Sequence, residues 1–247
     1  MENILVISHR RSGTHLTIDT IKNNFSYSNP LVTIGDIEEK ITIKGTEISD
    51  QEFQEAIHQG ATIFKTHMKP DQVNNFFSNS TRAKLMRQLY QNATKIYVYR
   101  DGKDVLVSLY EYMKTYNDQI RNISFSEFIR NKYNPANWKA HVEGWKQNGE
   151  GILFVRFEDY MEDYKGMVVK IANHTNNEKP HTVKDVRVSR KNNLVDRIKK
   201  RFGPTIVRTS VSLRKGESGN YKNYFSQEDL EFFQKTTENY KDILGYS

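Results

Sequence analysis

NILVISHRRSGTHLTIDTIKNNF, Asn3 to Phe25, changes character twice and so sets the fold. Asn3 to Ser8 reads as a short buried strand, because Ile4 to Ile7 are apolar without alternation. Gly13 to Phe25 continues as a helix with Leu16, Ile18 and Ile21 on its inner side. The loop between them, from Ser8 onwards, is polar and tight. Strand, tight turn and helix open an α/β unit. Gly13 lets the backbone approach a ligand closely, and the N–H groups that start the helix offer partial positive charge to a phosphate. Arg10, Arg11, Ser12 and Thr14 add donors. Taken alone, such a Gly-Thr helix start fits a purely structural turn as well as an anion site. The loop GxxxxGK[ST] of nucleotide kinases is not met, because no glycine stands five residues before Gly13 and Thr14, not lysine, follows it.

A chain of 247 residues is long enough for one core, and a single domain over 1–247 is the expectation. Hydrophobic residues at 36% and charged ones at 27% are ordinary for a globular protein. The absence of cysteine excludes a disulfide framework and thiol chemistry, and leaves only histidines and carboxylates as metal ligands. Ile4 to Ile7 is too short for a membrane span and meets His9, Arg10 and Arg11, so a soluble, cytoplasmic protein without a signal peptide is expected. The net charge of +7 is unevenly placed. Between Lys184 and Lys215 eleven lysines and arginines face only Asp185 and Asp196, a local +9. From charge alone this segment is a solvated loop, a surface for nucleic acid or acidic polymer, or a lid over an anionic ligand.

Further strands are expected at Ala61 to Thr66, Thr94 to Arg100 and Ile152 to Phe157. Helices are expected at Asp50 to Gln59, introduced by Ser49 or Asp50, at Arg82 to Gln91, and at Lys103 to Tyr116 with Val105, Leu106, Leu109 and Met113 inside. Another follows a capping box of Ser124 and Glu127. A helix opened by Pro135 carries Trp138, His141, Val142 and Trp145, a spacing that reads as a core stripe. One helix runs from about Asp159 towards Asn173, and Ser226 with Asp229 caps a last one. Leu31 to Ser49 reads as irregular with a β-like ITIKG segment, and Asn176 to Gly219 has no clear pattern. Strands alternating with helices imply a three-layer α/β fold with a mostly parallel sheet, whose ligands gather at the carboxyl ends of the strands. This places Ser8 to His15, Lys65 to His67 and Arg100 along one rim.

Single residues on that rim carry two readings each. His67 at a strand end is either structural or an imidazole able to take a proton near neutral pH. Arg100 and Ser108, two helical turns on, either face one anion or leave Arg100 to pair with Asp101 or Asp104.

Several blocks in order resemble the cytosolic-type sulfotransferase family. RRSGTHL is similar to its KSGTTW loop, with Arg11 at the lysine position, and FKTHMKP (Phe64 to Pro70) is similar to KTHLP. VYRDGKDVLVSLYEYMK (Val98 to Lys114) resembles the family's 3′-phosphate block. WKAHVEGW (Trp138 to Trp145) and FVRFEDYMED (Phe154 to Asp163) continue the pattern, and RKGESGNYKNYF (Arg214 to Phe225) resembles RKGxxGDWKNxF. The resemblance leaves gaps at Leu31 to Ser49 and Asn176 to Leu213. It implies a P-loop NTPase-like sulfotransferase fold and transfer of a sulfuryl group from 3′-phosphoadenosine 5′-phosphosulfate (PAPS), with adenosine 3′,5′-bisphosphate (PAP) as product and no metal. It implies His67, Arg11 and Lys65 as catalytic. Arg10, Arg11, Ser12, Gly13, Thr14, His15, Arg100, Ser108, Phe157, Arg214, Lys215 and Gly216 would bind the nucleotide.

The implied acceptor is a hydroxyl of a small alcohol, phenol or glycan. The basic segment about 184–215 then reads as a lid, and nucleic-acid binding is not expected because neither aromatic interleaving nor a recognition motif accompanies it. Lys222 to Glu231 partly follows a short dimer motif, leaving monomer or homodimer. The family's threonine and tryptophan after Thr14 are His15 and Leu16 here, which removes the usual indole stack on adenine, and Phe157 keeps the ring of a base-contacting tyrosine without its hydroxyl. Rival classes are a kinase-like nucleotide phosphotransferase, marked by magnesium-dependent activity, and a polyanion-binding non-enzyme, marked by steep salt dependence.

Overall fold

Residues 1–35, 40–75, 80–187, 218–238, 240 and 244 are described by the structure, a computed structural model. The strands are β1 (Ile4–Ser8), β2 (Val32–Ile34), β3 (Ile41–Ile43), β4 (Thr46–Glu47), β5 (Ile63–Thr66), β6 (Thr94–Tyr99) and β7 (Ile152–Arg156). The helices are α1 (Thr14–Asn24), α2 (Asp50–Gln59), α3 (Pro70–Asn75), α4 (Thr81–Asn92), α5 (Gly102–Tyr116), α6 (Asp118–Arg121), α7 (Phe125–Glu127), α8 (Pro135–Asn148), α9 (Phe157–Glu162), α10 (Tyr164–His174) and α11 (Gln227–Thr236). The chain groups into a first unit, Met1–Tyr99 with Gly144–Asp185, and a second, Arg100–Glu143 with Val186–Ser247.

In the first unit the strands form one mostly parallel, mixed sheet in the order β4-β3-β2-β5-β1-β6-β7, flanked by helices. β1 pairs in parallel with β5 on one side and β6 on the other. Its residues are at most 1% exposed, which a strand achieves only when both faces of its sheet are covered. α1 packs on α10, and α2 on α4. α2 starts where expected: Ser49 and Glu52 form a reciprocal capping box.

Three expectations need correction. The stretch read as irregular, Leu31 to Ser49, contains β2, β3 and β4, and β2 extends the parallel sheet beside β5. These strands have three, three and two residues, too few for alternation to show. The ITIKG segment is one arm and the turn of a hairpin, with Lys44 and Gly45 both at positive φ (51 and 86) as a tight two-residue turn requires. The single helix expected from Asp159 to Asn173 is two. It breaks at Asp163, whose side chain caps α10 by accepting from the Gly166 N–H, and α9 begins already at Phe157, so that residue heads a helix and does not end β7.

The described elements of the second unit are helical. α5 is capped by Asp101, which accepts from the Lys103 N–H, and buries Val105, Leu106 and Leu109. Ser124 accepts from the Glu127 N–H as expected, but α7 is one turn that passes into a π-helical turn at Phe128–Lys132. α11 carries the expected capping box of Ser226 and Asp229. Trp138 is 0% exposed, as the core-stripe reading requires, and lies against Phe233 and Tyr240. Lys103 Nζ donates to the Tyr240 hydroxyl at 2.9 Å, pairs with Asp101 at 3.0 Å, and stands 4.7 Å over the Tyr221 ring. Burial alone would lower the Lys103 pKa, but Asp101 and Tyr240 outweigh it and raise it.

Asp104 has a separate task. Its buried carboxylate accepts the Gly219 N–H at 2.7 Å and the Tyr221 N–H at 3.0 Å, holding the start of the Asn220–Asn223 turn against α5. The same group pairs with Arg100 at 3.7 Å. One side chain thus satisfies two amides and faces one cation.

Two stability predictions follow from this packing. A β-carbon on Gly102 would stand 2.5 Å from Cε3 of Trp138, which has no room to retreat, so Gly102→Ala should cost roughly 1–3 kcal/mol. Asp104→Ala leaves two amides without their acceptor and removes one partner of Arg100, and should cost about 1–3 kcal/mol. Urea denaturation checks both; a loss under about 0.5 kcal/mol, the ordinary surface effect, would contradict the corresponding contact.

Candidate active site

β1 passes into α1 through a strained loop. Arg11 has φ 69 and Gly13 φ 107, so two near neighbours take left-handed backbone, which costs the arginine more than the glycine. Gly13 is the N-cap of α1 and supplies no side-chain cap, leaving the first amides of the helix available to a ligand. A β-carbon there would lie 2.7 Å from Cδ2 of Phe157, so the ring packs directly against the glycine. Ser12 is 0% exposed, and its Oγ has no hydrogen-bond partner among the described residues. A buried hydroxyl without a partner, uncapped amides and two arginines suit an anion with several oxygen acceptors. The loop is held from the sheet, since the His9 backbone amide reaches the buried Tyr97 hydroxyl; burial pushes the pKa of that hydroxyl well up and the amide opposes it. His9 Nδ1 donates to the Arg10 carbonyl at 2.9 Å.

His67 stands one residue beyond β5, beside the carboxyl end of β1. Its Nδ1 lies 2.8 Å from the Ser8 carbonyl and 3.2 Å from Ser8 Oγ. A carbonyl only accepts, so Nδ1 carries the hydrogen and the lone pair of the neutral ring is on Nε2. Ser8 Oγ lies in turn 2.6 Å from Thr14 Oγ1. Lys65 Nζ donates to His15 Nε2 at 3.3 Å, so the histidine in the place of the family's threonine engages the adjacent lysine. Leu16 is 4% exposed and belongs to the core.

The first unit therefore brings Arg10 to His15, Lys65, His67 and Phe157 around the ends of β1 and β5. In the second unit Arg100 pairs with Asp104, one of the two partners considered from sequence, while Asp101 is taken by Lys103. Asp104 and Ser108 lie one turn apart on the same side of α5. Arg214, Lys215 and Gly216, and most of the basic stretch 184–215, lie outside the described residues.

Tyr97 had no signal of its own in the sequence, and Ser8 and Asp104 were met there only as the start of the loop and as a candidate partner of Arg100. A small hydroxyl residue ending a buried strand, and an acid four residues after a strand-terminal arginine, are the patterns that would have singled out Ser8 and Asp104. Among the described residues no group of three His, Asp or Glu side chains is arranged to hold a metal ion. None of the described helices is long and apolar enough to cross a membrane.

Comparison with known proteins places this geometry. Sulfotransferase 1E1 of Mus musculus is 28% identical over 206 residues, 74% of this chain and 61% of that protein. The aligned stretches span 46% to 61% of the length of the curated relatives. The crystal structure of mouse sulfotransferase SULT7A1 complexed with PAP superposes with a TM-score of 0.67 at 17% identity, covering 99% of this chain and 88% of that one. Retinol dehydratase in a complex with retinol and PAP gives a TM-score of 0.58 at 17% identity, covering 97% and 81%. At such identities these two likenesses speak for the fold. Residues 1–243 match the family described as the sulfotransferase domain, and the chain belongs to that family.

Proposed function

We propose that the protein transfers the sulfuryl group of PAPS to a hydroxyl of a small alcohol, phenol or glycan, with His67 as general base. The observation that carries this reading is the tautomer of His67: the Ser8 carbonyl fixes hydrogen on Nδ1, so the basic nitrogen is Nε2. The complex of one structural neighbour with retinol, itself an alcohol, favours a small hydroxyl acceptor. Residues 1–247 act on this reading as one transferase domain, soluble and cytoplasmic, as monomer or homodimer.

When bound, PAPS supplies the sulfuryl group, whose sulfur gains a bond to the acceptor oxygen as its bond to the 5′-phosphate oxygen breaks. His67 Nε2 takes the proton of the acceptor hydroxyl. Lys65 and Arg11 stabilise negative charge on the transferring group and on the leaving oxygen. Ser12, Thr14, Arg10, His15 and the first amides of α1 hold the 5′-phosphate, with Gly13 allowing the close approach. Arg100 and Ser108, joined by Arg214, Lys215 and Gly216, take the 3′-phosphate, and Phe157 contributes to the nucleotide pocket from beside Gly13. Basic side chains and helix amides perform the charge stabilisation that magnesium performs in kinases, so positioning and electrostatics supply most of the rate.

Arg11 differs from the family's lysine in one respect that matters here. A guanidinium keeps its charge throughout the accessible pH range and donates along fixed directions. It stabilises the bridging oxygen without giving up a proton.

Replacing His67 by alanine should lower turnover by roughly 10²–10⁴-fold while leaving PAP affinity nearly unchanged, measured with labelled donor and by calorimetry. Near-normal turnover would remove His67 as the base. PAP should bind at least about tenfold more tightly than ADP, the worth of one good charge-assisted contact, and Arg100→Ala should narrow that ratio. Equal affinities in the unmodified protein would remove the main support for PAPS.

A further inference from the structure

We propose that Ser8 is a positioning residue that couples His67 to the anion cradle through two hydroxyls, its own and that of Thr14; this rests on the function proposed above. The observations are three distances within the first unit. His67 Nδ1 lies 2.8 Å from Ser8 O and 3.2 Å from Ser8 Oγ, and Ser8 Oγ lies 2.6 Å from Thr14 Oγ1. Ser8 and Thr14 are 0% and 5% exposed, so water does not compete for these bonds.

The direction of the chain follows from its one fixed end. The Ser8 carbonyl only accepts, which puts hydrogen on Nδ1; that hydrogen is shared with Ser8 Oγ, which therefore accepts as well. A hydroxyl that accepts retains its own hydrogen, and Thr14 Oγ1 is within reach to receive it. Thr14 then accepts from Ser8 and directs its own hydrogen onwards. As the first residue of α1, directly after Ser12 and Gly13, Thr14 meets in that direction an anion seated at the helix start.

Polarisation along such a chain runs in a single sense. A proton arriving at Nε2 makes the ring a cation and strengthens donation from Nδ1. Each hydroxyl that accepts a stronger bond donates a stronger one. Thr14 thus becomes a better donor to the cradle as the base becomes protonated, which is when a leaving phosphate gains charge. Ser8 touches no reacting atom; it transmits the state of one end to the other.

The test reads the Nδ1–H proton resonance of His67 in nitrogen-15-labelled protein, assigned by its loss in His67→Asn, before and after saturation with PAP. Calorimetry first establishes that PAP binds. The resonance should move downfield on binding in the unmodified protein and in Thr14→Ser, which keeps the hydroxyl. It should stay nearly still in Ser8→Ala and in the isosteric Thr14→Val. These two variants should also bind PAP about fivefold more weakly, the worth of one hydrogen bond. Thr14→Val carries the test if Ser8→Ala fails to fold. A through-space effect of the bound charge would survive in both variants, so equal displacement in all four proteins overturns the relay and leaves the donor reading intact. No binding of PAP by the unmodified protein overturns the donor reading and the relay with it.

Discussion

The Phe157 ring lies where a β-carbon on Gly13 would stand, with Cδ2 2.7 Å from that position, and the cradle depends on this approach. Because the ring occupies that space, the residue at the helix start has no side chain and the N-terminus of α1 has no cap of its own. A helix start without a side-chain cap would be a defect in a structural turn. Beside Arg10, Arg11 and the buried Ser12 hydroxyl it suits a bound anion, as the proposed function requires. The left-handed backbone at Arg11 belongs to the same compromise: about 1 kcal/mol of strain or more is retained at a site where a bound anion is expected to offset it.

The second unit solves a different problem with one carboxylate. Arg100 follows β6 directly, and a guanidinium there is of use only if its direction is defined. Asp104, one turn into α5, faces it at 3.7 Å and so helps to orient the group. The remaining capacity of the same carboxylate goes to the amides of Gly219 and Tyr221. Neutralising an almost fully buried acid with two amides and a partly buried cation removes most of the desolvation cost that a lone aspartate would carry.

What the sequence revealed and what it hid divide along physical lines. β1, α1, α2 and α5 were legible because each satisfies its own requirements locally: a run of apolar residues, a capping serine, an apolar face at helical spacing. The strands β2 to β4 were not, since a three-residue strand owes its existence to the neighbour it pairs with; the edge position of β4, both of whose residues are exposed, shows how little side-chain pattern such a strand needs. The break at Asp163 has the same character, because aspartate reads equally well on a helix surface or at a cap until the chain direction is known. At the site, His67, Lys65 and the loop could be named from residue type and order. The contacts of Ser8 with His67 and Thr14, and of Asp104 with Gly219 and Tyr221, could not, because they lie in what the fold sets beside each residue.

The departures from the family pattern are not independent of one another. Arg11 removes a titratable group from the cradle and His15 introduces one, in contact with Lys65 through Nε2. In the described geometry His15 Nε2 accepts from the Lys65 ammonium, so it carries no hydrogen and the hydrogen of the ring is on Nδ1. On the function proposed above, charge stabilisation then rests on two side chains, the fixed guanidinium of Arg11 and the Lys65 ammonium that His15 engages. Leu16 completes the change. Turned into the core, it strengthens the packing of the helix that carries the loop and, on the function proposed above, leaves contact with the base to other residues.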